Sequence, residues 1–233
     1  CIEKPLTTSS SLTDDVITVE NLADCMNFLF TSVTNKSLFK DLDSSIESFQ
    51  QTRSLHSERV PLRELVESLY LDCLEKTLSE PSVQEHTQSN PHYLRNIKIS
   101  IESYVLYGLR NLLPIAVSAS TASDDAELNK TIRNLHYLQL EDLEINVDVQ
   151  VGISRGKMEL SRLDSFATVL GKTGCLKRAI KYLSEGLETI STDDLLPILI
   201  FVVIRTGLPN WIAQLTFMKQ FRFSSDNANP NDE

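Results

Sequence analysis

Glycine is scarce: there are seven in 233 residues, well under the ~7% of average usage. With Leu, Glu, Lys and Ser abundant, that scarcity argues against a turn-rich β fold and for helices. Cysteine is also sparse. Cys1, Cys25, Cys73 and Cys175 show no CxxC spacing and sit in apolar helical patterns, so neither a disulfide framework nor a zinc site is expected, and a reducing, cytoplasmic compartment fits. The four histidines, His56, His86, His92 and His136, form no ligand cluster with cysteines or carboxylates, so no metal is expected. Nor is a cofactor. Positive charge is in deficit, with 22 basic against 32 acidic residues and a net charge of -10. The largest basic group is Lys177-Arg178 with Lys181, which argues against nucleic acid and favours a partner protein with a basic surface. Long apolar runs are absent too. The longest, Leu195 to Ile204, is interrupted by Pro197 and is about half of the ~20 residues a membrane span needs, so it reads as a core helix. No G-x-S-x-G occurs, and hydrolase chemistry has no support.

What remains is helical periodicity. Residues 1–13, rich in Ser and Thr around Pro5, read as a linker or disordered end, with structure beginning near Asp14. Leu22, Cys25, Met26 and Leu29 then mark a helix within 16–33, and a second runs from about Leu38 to Phe49. Pro61 opens a helix carrying Leu62, Leu65, Val66, Leu69 and Cys73. Asn90-Pro91 starts a long one with Leu94, Ile97, Ile101, Tyr104, Val105 and Leu112, which Pro114 ends or kinks. Asp124 and Glu127 form a candidate capping box for a helix with Leu128, Ile132, Leu135 and Leu138. Leu143 to Ile153 alternates apolar and polar residues, a period that also fits a strand, and is taken as an extended connector. Leu160, Leu163, Phe166, Ala167 and Leu170 predict a helix that Gly171 and Gly174 break before Leu176 to Leu187 resumes the pattern. Gly171-Lys172-Thr173 is not read as a phosphate loop, because Phe166 occupies the position where that loop needs its first glycine. The last helices are expected over 192–205 and 209–221. Repeats at solenoid spacing are absent.

The string Asp193-Asp194-Leu195-Leu196-Pro197 sets two carboxylates at the mouth of the most apolar helix. One reading is capping, in which first-turn acids complement the helix dipole. Ser191 with Asp194 matches a capping box, which leaves Asp193 without a structural task. Pro197 has no amide for the carbonyl of Asp193, so the backbone there should be distorted or open to solvent. An unpaired acid on an irregular helix start is placed to reach into another protein. Trp211, behind Pro209-Asn210, is open between ring packing and a partner contact.

The Asp193 to Pro197 string, followed by Ile200-Phe201-Val202-Val203 and then Pro209, resembles the signature of the Vps-nine domain, the helical module of exchange factors for Rab GTPases of the Rab-five subfamily. Leu128-x-x-x-Ile132-x-x-Leu135 and Leu176-Lys177-Arg178-Ala179-Ile180 look like that family's upstream helices. Leu208 to Ala213 with Phe221 to Ser225 is similar to its Varp-like members, which carry ankyrin repeats after the exchange domain. The resemblance implies an all-α chain: an N-terminal helical bundle over 14–111 and a layered, C-terminally truncated Vps-nine domain over 112–233. It implies nucleotide exchange on a Rab without covalent chemistry, in endosomal trafficking, by a cytoplasmic protein recruited to endosomal membranes through its partners. Asp193 would be an acidic finger that enters the GTPase nucleotide site and pairs with the phosphate-loop lysine, and Pro197 would shape its base. Asp194, Ile200 and Trp211 would meet the partner. The tyrosine and threonine that the family uses on a later helix would lie beyond this chain's Ser224-Ser225-Asp226-Asn227. The alternative is a non-catalytic helical scaffold that binds a Rab or another trafficking partner.

Overall fold

The structure, a computed structural model, describes residues 18–55, 60–143, 150–185 and 192–225. Its regular structure is helical throughout those residues, in agreement with the all-α expectation. In chain order the helices are α1 (Leu22–Ser32), α2 (Ser37–Leu55), α3 (Leu62–Leu78), α4 (Pro81–Ser89), α5 (Pro91–Gly108) and α6 (Leu113–Ser120). They continue as α7 (Ala122–Asn134), α8 (Gln150–Leu160), α9 (Val169–Ser184), α10 (Thr192–Thr206) and α11 (Trp211–Gln220).

Helix α5 is the spine of the first core. Asn90 starts it, its side chain accepting from the amides of His92 and Tyr93 while Pro91 takes the position that needs no amide. Ile97, Ile101 and Val105 then recur at helical spacing and are fully buried. They join Leu29 of α1, Leu42 of α2, and Val66 and Cys73 of α3, but also Val169 of α9 and Phe217 and Phe221 at the other end of the chain. Each such side chain contributes ~1.5–3 kcal/mol by leaving water. The second core gathers Ile153 and Leu160 of α8, Ala179 and Leu183 of α9, and Ile198, Phe201 and Val202 of α10. Glu102 adds a polar tie: deep in α5, it accepts from the amides of Phe223 (2.6 Å) and Ser224 (2.7 Å), and burial pushes its carboxyl above the usual range.

Several sequence expectations are corrected. Helix α1 begins at Leu22, where Asn21 caps the amide of Asp24; residues 14–17 lie outside the described residues. Helix α4 carries only one buried apolar side chain, Val83, too weak a period to be seen in advance. Helix α5 stops at Gly108, and Pro114 instead sits in the first turn of α6. Helix α7 starts at Ala122, so Asp124 lies inside its first turn rather than capping it. Leu135 and Leu138 fall after that helix. Residues 150–153, expected to be extended, open α8; 144–149 lie outside the described residues.

The glycines also depart from expectation. Helix α9 runs unbroken through Gly171 and Gly174, capped by the Thr168 hydroxyl on the Gly171 amide (3.1 Å). The chain breaks earlier, at a 3-10 turn over Leu163–Ser165 followed by extended backbone at Phe166 and Thr168. Glycines in α8 serve close approach. A Cβ at Gly152 would stand 2.4 Å from the carbonyl oxygen of Tyr182, and one at Gly156 would stand 2.6 Å from the Leu183 side chain, so bare backbone lets α8 lie against α9. Gly152→Ala gains ~1 kcal/mol in helix propensity. Because the obstructing atom is backbone, a net loss of about 1–3 kcal/mol is still expected, read as a lower midpoint in denaturant unfolding.

Candidate partner-binding site

The C-terminal end of helix α10 is embedded, whereas its N-terminal half is buried on one face, at Ile198, and open on the other. Toward its C-terminus Val202 is fully buried, and Phe201, Ile204 and Leu208 are close to it. Toward its N-terminus Leu196 is 55% and Ile200 45% exposed. These two lie four residues apart on one face. Position 193, three residues before Leu196, shares that side of the helix by register. Asp193 and Asp194 are placed by backbone alone, in the first turn of α10. Ser191, with the proposed capping box, lies outside the described residues, as do the side-chain partners of both aspartates. The helix continues through Pro197 without interruption. The proline ring still offers no amide to the carbonyl of Asp193, so the departure from regularity is a missing hydrogen bond rather than a break in the helix.

The embedded end is fixed from several directions. Gly207, in the left-handed region at φ 71°, ends α10, and α11 leaves at a bend of 116°. The Asn210 side chain makes no cap for α11. Asp125 of α7 supplies that cap from a distance, accepting from the amides of Ile212 (2.8 Å) and Ala213 (3.1 Å) and from the Thr121 hydroxyl (3.2 Å). The Asn129 amide donates to the carbonyl of Pro209 (2.6 Å), and Arg205 donates to that of Leu138 (2.7 Å). Trp211 is 5% exposed and packs in the second core; of the two roles open to it, the structure shows the packing one.

Lys172 is a buried cation that sequence reasoning passed over. It donates to the carbonyl of Leu163 (3.0 Å) and the side-chain oxygen of Gln214 (2.6 Å), and lies 5.2 Å from the centre of the Phe217 ring. It thereby joins α9 to α11. Burial lowers its ammonium from an ordinary 10.5 to about 8. Between those values the unfolded chain holds more protons, so this group makes stability rise with pH across that window. The buried thiols act the other way as pH climbs past 9, burial having raised Cys73 to about 12 and Cys175 to about 11. Comparison with Lys172→Met isolates the lysine: its pH profile is expected to lack a rise of about 3 kcal/mol, measured by urea unfolding from pH 7.5 to 10.5.

Residues 155–233 match the family described as the vacuolar sorting protein 9 (VPS9) domain. That span takes in most of α8 and all of α9, α10 and α11. The chain is similar to the Rab5 GDP/GTP exchange factor of Bos taurus, 20% identical over 198 residues that cover 81% of this chain and 39% of that protein. It resembles the Homo sapiens Rab5 GDP/GTP exchange factor at 21% identity over 198 residues, 81% of this chain and 39% of that one. It also resembles the vacuolar protein sorting-associated protein 9A of Oryza sativa subsp. japonica at 24% over 199 residues, 79% of this chain and 40% of that one. The chain thus spans about two fifths of the length of these relatives. Among the described residues, no single helix is long and apolar enough to cross a membrane.

Proposed function

We propose that this chain is a guanine-nucleotide exchange module that promotes GDP release from a Rab5-subfamily GTPase in endosomal trafficking. The observation that carries the reading is that the VPS9 match contains Asp193 to Pro197 at the start of a helix that exposes Leu196 and Ile200 on one face and whose far end is locked into the core. Exchange needs no covalent step. It needs the nucleotide's contacts replaced, transiently, by protein groups that stabilise the empty GTPase. Asp193 is the acidic finger: its carboxylate takes the place of a nucleotide phosphate as counter-charge for the GTPase's phosphate-loop lysine and displaces the magnesium contacts. Pro197 shapes the base of the finger and Asp194 flanks it. Ile200 and, beside it, Leu196 form the apolar landing for the GTPase surface, while Trp211 acts by holding α10 from behind. The domain division is read as a helical bundle over 14–111 supporting an exchange domain from 112 onward, in a Varp-like protein acting in the cytoplasm at endosomal membranes.

The test is release of a fluorescent GDP analogue from Rab5 on addition of the chain. Acceleration proportional to chain concentration supports the reading. Replacing Leu196 and Ile200 together with Asp removes two exposed apolar contacts and is expected to raise the concentration needed by at least roughly tenfold, with the unfolding midpoint little changed. Release at the intrinsic rate at every concentration would leave a non-catalytic scaffold as the better description.

A further inference from the structure

Away from α10, a cavity of about 470 Å³ opens where the segment before α1 meets the start of α5 and the first half of α9. Its lining reverses the charge of the chain as a whole. Arg95, Lys177 and Arg178 line it against a single carboxylate, Glu20, in a protein of net charge -10. Among the described residues Arg95 and Lys177 have no carboxylate, carbonyl or aromatic partner, although both are exposed and free to find one. Arg178 is held differently. Its Nε and Nη2 both donate to the Oε1 of Glu159, at 2.8 and 2.6 Å, which fixes the guanidinium plane and leaves Nη1 over. That atom lies beside the bare backbone of Gly174, where a Cβ would come within 3.2 Å of it. The missing side chain keeps the third cation open to the cavity. Leu170 and Ile99 supply apolar wall.

We infer that this cavity binds a phosphate monoester carried on a compact polar skeleton, such as a phosphorylated polyol. Donor-only cations converging from two helices match the oxygens of a dianionic phosphate, and an oriented guanidinium serves such an anion better than a mobile ammonium. Arg178 already has its counter-charge in Glu159, but Arg95 and Lys177 share the concave surface with no such partner among the described residues, and an anion there relieves their mutual repulsion. The volume is within the ~300–1,000 Å³ of small-ligand sites and exceeds what a bare phosphate needs. A free metabolite and the headgroup of a phosphorylated lipid present this same chemistry.

The experiment titrates the chain with soluble inositol monophosphate by calorimetry, then measures sedimentation with phosphatidylcholine vesicles doped with phosphatidylinositol monophosphate, or with phosphatidylserine at matched charge. Saturable binding of the soluble probe is expected, weakened at least roughly tenfold by Arg95→Gln with Lys177→Gln. These exposed substitutions should leave the unfolding midpoint in place. Gly174→Ala, which favours the helix and crowds Arg178, is expected to weaken binding severalfold without loss of fold. Co-sedimentation with the phosphoinositide vesicles but not the phosphatidylserine vesicles assigns the ligand to a lipid headgroup; soluble binding alone assigns it to a free phosphomonoester. The proposal is overturned if the soluble probe does not bind, if its binding ignores these variants, or if both vesicle types are bound equally well.

Discussion

Replacing Asp193 with alanine is expected to slow GDP release from Rab5 stimulated by this chain by roughly ten- to a hundredfold while leaving the fold in place. A charge-assisted hydrogen bond to a lysine is worth ~1.5–3 kcal/mol, and here it would exist only in the complex with the GTPase as its nucleotide leaves. The structural cost of the change is small, since a first-turn acid contributes ~0.3–1 kcal/mol to its helix. Asp193→Asn retains hydrogen bonding but not charge, so it is expected to fall nearer alanine than wild type. If loss of charge left the release rate intact, Asp193 would be a helix cap and nothing more. Asp194→Ala, one position on, separates the roles: it is expected to affect exchange less, and stability about equally.

The second large effect is structural and lies far from Asp193 in sequence. Asp125→Ala removes the buried carboxylate that accepts from the amides of Ile212 and Ala213. No side chain at the start of α11 replaces it, because Asn210 makes no cap bond. The two amides would be left at a partly buried helix start, costing about 2–4 kcal/mol. Asp124→Ala, its exposed neighbour in α7, is expected to change stability by less than about 0.5 kcal/mol. Urea unfolding of the two variants side by side reads the difference. An equal effect would mean that the α7 to α11 contact contributes nothing beyond helix-start electrostatics. Because the same contact fixes the corner behind α10, Asp125→Ala is also expected to reduce exchange at temperatures where the chain remains folded.

The fold was legible wherever one helix carried both a start signal and a full apolar stripe. Asn90-Pro91 with Ile97, Ile101 and Val105 is such a case, and so is Pro61 with Val66, Leu69 and Cys73. It was illegible where glycine served packing. Gly171 and Gly174 look like breaks on paper, yet helix α9 runs through both. Gly152 belongs to an alternating stretch that reads as extended until α9 is placed against it. The aspartates of the candidate site stood out because two adjacent acids before a proline exceed what packing asks for. Their supports did not. Asp125 acts across 87 residues of chain and Lys172 across 42, and no local pattern encodes contacts of that span. Leu196 could have been found, since it sits four positions before Ile200 on the same helical face.

The most direct measurement is the affinity of the chain for nucleotide-free Rab5 against GDP-bound Rab5, for wild type and Asp193→Ala. Tight binding to the nucleotide-free form is expected, reversed by added GDP and lost in large part with Asp193, because in the proposed complex its carboxylate would stand where a phosphate otherwise sits. Equal affinity for both forms, unmoved by Asp193→Ala, would contradict the acidic-finger reading.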